Sequence, residues 1–168
     1  MTYYDEIARG YDALHKEEQL KKLHIISNRL SLTQGETLLD VGCGTGFSLD
    51  FFSGVVTTGV DPAKKLVEQY TGKQKILVGC AESLPFDNSS FDVVISVTAI
   101  QNFSDLRQGL QEIFRCATNR FALTLLKNSS RVDQVRKILK ELAQKKFLQG
   151  YSFVEEEHYQ DIFFFIQA

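Results

Sequence analysis

The chain has 168 residues, 43% hydrophobic and 24% charged, which is the make-up of an ordinary soluble globular domain with a substantial core. Nineteen Lys and Arg against 21 Asp and Glu leave a formal net charge of −2, which excludes a whole-chain pull toward nucleic acid or membrane, though not a local basic patch. Cys43, Cys80 and Cys116 are odd in number and far apart, and no signal-peptide pattern or membrane-length apolar run is present; nothing suggests a disulfide framework or a zinc site, and a reducing, cytoplasmic setting is expected.

In chain order, a short aromatic-acidic helix is predicted over 3–12. A second follows over 16–30, with Leu20, Leu23, Ile26 and Leu30 on one face. Thr33-Gln-Gly-Glu36 turns into a first strand, 37–41. A helix from about 45 carries Phe47, Phe51 and Phe52, and 55–60 is a second strand. Pro62 is placed in the first turn of the next helix, where its missing N–H costs nothing; that helix runs to about Tyr70. The third strand begins at Lys75. Asp87-Asn-Ser-Ser90 is a turn, and 91–97 is an almost wholly apolar fourth strand, as a buried parallel strand should be. Ser104 caps a helix that turns Leu106, Leu110, Ile113, Phe114 and Ala117 inward, and 121–126 is the fifth strand. A helix over 130–146 buries Val132, Val135, Leu139 and Leu142, and strands over 150–157 and 161–167 close the chain. Strands alternating with helices imply a parallel sheet covered on both faces, an α/β, Rossmann-like, doubly wound arrangement. The last two strands have no helix between them and should form an antiparallel hairpin.

The most informative stretch is Glu36-Thr-Leu-Leu-Asp40-Val-Gly42-Cys43-Gly44-Thr-Gly46. An apolar strand enters a loop with glycine at every second position, which lets backbone N–H groups approach a ligand that a Cβ would block. A dinucleotide fingerprint is one residue longer, G-x-G-x-x-G, and rests a pyrophosphate on the helix N-terminus. Asp40 would repel a phosphate and favours a cationic or hydroxyl-rich ligand end. The second strand ends at Asp61-Pro62, 15 residues beyond Gly46 and 19 beyond Gly42, close to the spacing at which an acidic residue meets ribose hydroxyls. In open α/β sheets, ligands bind at the carboxyl ends of the strands, so Asp40–Gly46, Asp61, Cys80–Glu82 and Val97–Asn102 converge on one crevice.

The two aspartates and the tight glycine loop resemble the class I S-adenosylmethionine-dependent methyltransferases. Ala81-Glu-Ser-Leu-Pro-Phe86, Phe91-Asp-Val-Val-Ile-Ser-Val97 and Tyr4-Asp-Glu-Ile-Ala-Arg-Gly-Tyr11-Asp12 agree with that family, so the resemblance covers nearly the whole chain. It implies one domain over 1–168, with 1–30 as a helical lid. It also implies a seven-stranded sheet ordered 3-2-1-4-5-7-6 with an antiparallel strand at the C-terminal end. By the same resemblance, S-adenosylmethionine is the cofactor. Its methionine part passes Gly42, Cys43, Gly44 and Gly46, Asp40 receives the ammonium, and Tyr11 meets the carboxylate end. Asp61 accepts from the ribose hydroxyls, and Pro62, Ala81, Glu82, Val97 and Thr98 complete the cofactor site.

Position 80 departs from the family. Many relatives read Asp-Ala-Glu, with the aspartate accepting from the adenine amino group, where this chain reads Cys80-Ala81-Glu82. A thiol is a weak partner. Adenine recognition then falls to backbone near Ala81, to Pro62 and Leu84, or to a shifted Glu82. After the fourth strand, Gln101 and Asn102 stand where relatives carry histidines or other polar groups. They can orient a substrate but cannot act as bases at neutral pH, and His15 is the one histidine placed to reach the crevice. The basic residues of the last helix, among them Arg136, Lys137 and Lys140, are a weak nucleic-acid signal outweighed by their reading as a solvated face.

The N-terminal pattern matches two branches of the family: quinone-type small-molecule enzymes, and tRNA wobble-uridine enzymes, several of which need a small activator protein. Lys127-Asn-Ser-Ser130 leaves no room for a substrate-binding insertion. The methyl acceptor is therefore small, or a second protein supplies recognition, with the exposed edge of strand three as its docking place. The alternative is a non-catalytic partner subunit of another methyltransferase.

Overall fold

The computed structural model describes residues 11–148 and 150–168, as backbone alone over 11–16. Seven strands form one sheet: β1 (Thr37–Val41), β2 (Val56–Asp61), β3 (Lys75–Val78), β4 (Phe91–Ser96), β5 (Ala117–Leu126), β6 (Ser152–His158) and β7 (Asp161–Gln167). Their order is β3-β2-β1-β4-β5-β7-β6, as expected. β1 lies parallel to β2 and β4, and β2 to β3. β5 runs parallel to β4, and β7 lies antiparallel between β5 and β6. The helices are α1 (Tyr11–Leu30), α2 (Lys64–Val67), α3 (Leu106–Cys116) and α4 (Val132–Phe147).

The pleat sorts neighbouring side chains to opposite faces. Val93, Ile95, Ala122, Phe163 and Phe165 pack with Leu23, Ile26 and Leu30 of α1. Val94, Phe121, Leu123, Phe164 and Ile166 pack with Leu110, Ile113 and Phe114 of α3 and Ile138 and Leu139 of α4. Central strands buried on both faces have no polar side to show, hence their near-continuous apolar sequences.

Several predicted elements differ. The helix expected from about 45 is a single 3-10 turn, Phe47–Asp50. Only eight residues separate Gly46 from Val55, and they must return along a five-residue strand. A strand of that length spans roughly 16 Å. Eight residues of α-helix, at about 1.5 Å each, would cover only roughly 12 Å, so the return is made by a short 3-10 turn followed by a more extended turn segment. The helix expected from Pro62 is one turn, Lys64–Val67, and Pro62 precedes it. Asp105, not Ser104, caps α3 by accepting from the Gln108 N–H at 2.9 Å. Ala117 begins β5 rather than ending the helix before it, and the register shifts between Phe91 and Val93. The 16–30 helix starts earlier, at Tyr11, while 3–10 lie outside the described residues.

The two sheet edges differ. β6 is guarded by ion pairs, Glu155 with Arg136 and Glu156 with Arg29. β3 has four residues, and Val78 at its end is 53% exposed.

Candidate functional site at the carboxyl ends of β1, β2 and β4

The site grows out of hydrogen bonds that sew the β1 loop to β2. The N–H groups of Gly42 and Cys43 donate to the Val60 carbonyl at 2.8 and 3.2 Å. The buried Asp61 carboxylate accepts from the Gly44 N–H through Oδ2 and from the Ala63 N–H through Oδ1, both at 2.8 Å. One side chain thus shapes the glycine loop and the entry to α2.

Gly42, Gly44 and Gly46 have φ of 84°, 58° and 77°, the left-handed region where a Cβ is penalised. The space that two of the missing side chains leave goes to the protein rather than to a ligand. A Cβ on Gly42 would overlap that of Ala99, and one on Gly46 would lie 2.9 Å from the Tyr70 ring. Gly42 and Gly44 line the main cavity, and Gly46 lines neither cavity described here.

The main cavity has a volume of about 380 Å³. Of the expected residues, Gly42, Gly44, Asp61, Pro62, Ala81, Glu82, Val97, Thr98 and Asn102 line it. Cys80 lines it too, and it is exposed. Leu66 rather than Leu84 supplies its apolar wall beside Pro62. Glu82 has another duty: its Oε1 accepts from the N–H and O–H of Ser104 at 2.7 and 2.8 Å and from the Asp105 N–H at 3.2 Å. Burial alone would raise the Glu82 carboxyl; these hydrogen bonds outweigh it and hold the group below its ordinary value. Gln101 lines neither cavity. Its amide donates to the Thr98 carbonyl at 2.7 Å. The side chains of Tyr11 and His15 lie outside the described residues.

A chamber of about 30 Å³ adjoins the main cavity, shares Gly42, Gly44 and Val97 with it, and is lined by Asp40, Cys43 and Ser48. Asp40 is 2% exposed. Its Oδ2 accepts from the Ser48 hydroxyl at 2.5 Å, and its Oδ1 has no partner among the described residues. Burial, helped by the nearby Asp61 charge and opposed by the Ser48 bond, pushes its pKa up to about 7. A buried acceptor without a donor is costly, and a cationic group is the chemistry that would satisfy it. Burial first, then Asp40 and Asp61, push the Cys43 thiol well up, so it is an apolar spacer and no nucleophile. The structure adds Gln19 and Leu23 of α1 to this chamber, which the sequence reading did not place there. The signal was present, since Gln19 stands on the same helical stripe as Leu23, Ile26 and Leu30.

A family model described as a methyltransferase domain matches residues 39–125, just over half of the chain. The chain therefore belongs to the class I S-adenosylmethionine-dependent methyltransferases, the class that the sheet order and the glycine loop define. It is 32% identical over 126 residues to a demethylmenaquinone methyltransferase of Chlorobaculum tepidum, covering 67% of this chain and 52% of the relative. An uncharacterized protein of Methanocaldococcus jannaschii is 31% identical over 113 residues, 67% of this chain and 45% of that one. The chain spans about half the length of these curated relatives. Among solved structures, a complex between the Haloferax volcanii Trm112 methyltransferase activator and a chain described as a methyltransferase aligns with a TM-score of 0.77 at 18% identity, over 100% of this chain and 98% of that one.

Proposed function

We propose that this chain binds S-adenosylmethionine in the two adjoining cavities and transfers its methyl group to an acceptor entering beside Asn102. The observation that carries this reading is the buried Oδ1 of Asp40 next to the glycine loop, which has no partner among the described residues. Asp40 and Gln19 would hold the amino-acid end, and Asp61 the ribose. Pro62, Leu66 and the backbone at Ala81 would hold the base beside Cys80.

The cofactor supplies a methyl group already activated on a sulfonium sulfur, so the protein's task is alignment. Asp61, Cys80 and Glu82 are the titratable side chains on the main cavity among the described residues, and the carboxylates of Asp61 and Glu82 already serve backbone N–H groups. His24 packs on Phe51 and His158 on Phe163, away from both cavities. As far as the described residues go, the site suits an acceptor atom that needs no strong base, with Asn102 orienting it. A screen with radiolabelled methyl donor and cell extract split into RNA, protein and small-molecule fractions tests this. Label should enter one fraction and vanish with Asp61→Ala. Binding of the cofactor with no transfer to any fraction would favour the non-catalytic subunit.

We further propose that a small activator protein adds a strand to β3. Support comes from the short, apolar, unpaired edge ending in exposed Val78 and from the resemblance to a chain solved with its activator. The protein should co-purify from its source with a small partner, and Val78→Lys should release it. Efficient methylation of RNA or protein by the isolated monomer would contradict the proposal.

A further inference from the structure

Beneath the acceptor side of the main cavity lies a closed set of polar side chains that the roles above do not use. Lys22 of α1 is 1% exposed and Asp161, the first residue of β7, is fully buried. The three N–H bonds of the Lys22 ammonium are all spent: on Glu18 Oε1 at 2.8 Å, Asp161 Oδ1 at 3.0 Å and Thr98 Oγ1 at 2.8 Å. Asp161 Oδ2 accepts from the hydroxyls of Thr98 at 2.5 Å and Thr124 at 2.8 Å. Thr124 Oγ1 in turn accepts from the Thr98 N–H at 2.8 Å.

Glu18 holds Lys22, and Lys22, Asp161 and Thr124 each bond Thr98 directly. That residue has φ of 54°, a left-handed backbone that a β-branched side chain disfavours. Such strain persists only where the surroundings over-determine it. The Thr98 carbonyl accepts from Gln101, and the chain then makes a 3-10 turn, Ile100–Asn102. Ala99 fills the space a Gly42 side chain would take, and Asn102 faces the cavity. Fixing Thr98 therefore fixes both the acceptor wall and the seat of the glycine loop. A buried ion pair is a poor device for stability alone, since apolar replacements of similar volume are often as good.

We propose that Lys22 and Asp161 are positioning residues which, through the strained Thr98, hold the 99–102 turn against the glycine loop and so preorganise the cavity that the proposed function assigns to the cofactor. This rests on that reading for its ligand but not for its geometry, and the test separates the two. Three proteins are compared with the wild type: Thr98→Val, which deletes the hydroxyl and keeps shape and charges; Thr98→Ser, which keeps the hydroxyl; and Lys22→Met combined with Asp161→Asn, which removes both charges together. Melting temperature, S-adenosylhomocysteine affinity and ligand-free hydrogen exchange over residues 97–103 are measured.

Thr98→Val and the double variant should each lose about tenfold in affinity and exchange about tenfold faster over 97–103, while Thr98→Ser, which keeps the hydroxyl, should keep wild-type exchange over that turn. If Thr98→Val fails to fold, the double variant is read in the same way. A folded variant without the network that keeps wild-type affinity and wild-type exchange over 97–103 overturns the inference and leaves the network a core feature. A wild type that ignores S-adenosylhomocysteine refutes the cofactor reading; the exchange data, taken without ligand, then decide the inference alone.

Discussion

The cavity has two sides built by different means. On the β1–β2 side, backbone amides and two carboxylates do the shaping. The residues from Asp40 to Ala63 lie close together in the chain, and Asp61 organises them from one strand end. On the β4 side, a buried network drawn from α1, β5 and β7 holds one strained threonine. The first side is a local motif. The second is a product of tertiary structure, with Lys22 and Asp161 separated by 139 residues. The side read from local pattern should tolerate small changes in its neighbours, whereas the side assembled from afar should fail as a unit.

The largest effect is expected on the assembled side. Asp161→Ala strands the Lys22 ammonium without its buried partner and should lower stability by about 3–5 kcal/mol, read by urea denaturation. A loss under 1 kcal/mol would show that the pair is solvated in solution and would erase the contrast. Next comes Asp61→Ala. It removes the acceptor of two backbone N–H groups, at roughly 1–3 kcal/mol each where they stay buried, and should weaken S-adenosylhomocysteine binding about tenfold or more. Unchanged affinity would place the ribose elsewhere.

These two sides also explain what was legible in the sequence. The glycine loop, Asp40 and Asp61 sit in a pattern that spacing exposes, and the strand order follows from the family resemblance which that pattern carries. Lys22 lies one residue before Leu23 on the buried stripe of α1, and a lysine there reads as solvent-facing until β7 brings Asp161 to it. Asp161 precedes Ile162-Phe-Phe-Phe-Ile166, which reads only as a buried strand. The helix expected from about 45, carrying Phe47, Phe51 and Phe52, is cut to a 3-10 turn by the shortness of the connection. Ser104 was read as a cap because serine suits that position, and Glu82, from a distant loop, claims it instead.

A moderate effect of pH should sharpen the contrast. The Asp40 pKa is raised from 3.8 to about 7 in the folded protein. Its contribution to stability is therefore fully present below about pH 3.8 and is lost as pH rises through about 7, because the unfolded chain releases its proton first. A bound ammonium favours the ionised form, so S-adenosylhomocysteine affinity should climb as pH approaches about 7 and then level off. Asp40→Asn should flatten the profile. A flat wild-type profile would mean that Asp40 does not meet the ammonium.

The smallest effect belongs to Cys80. Its thiol is exposed on the cavity, so Cys80→Asp meets no packing penalty and restores the acceptor that relatives place there. Folding should be unchanged, and adenine-containing ligands should bind equally well or severalfold more tightly. A large loss of affinity would show that the base lies against the thiol itself.

The central claim, that the cavity at the ends of β1, β2 and β4 is a methyl-donor site, is tested most directly by titration calorimetry of the protein with S-adenosylhomocysteine and, separately, with NAD. Saturable heat is expected with the first, sharply reduced by Asp61→Ala, and none with the second. Tight NAD binding with no heat from S-adenosylhomocysteine would contradict it.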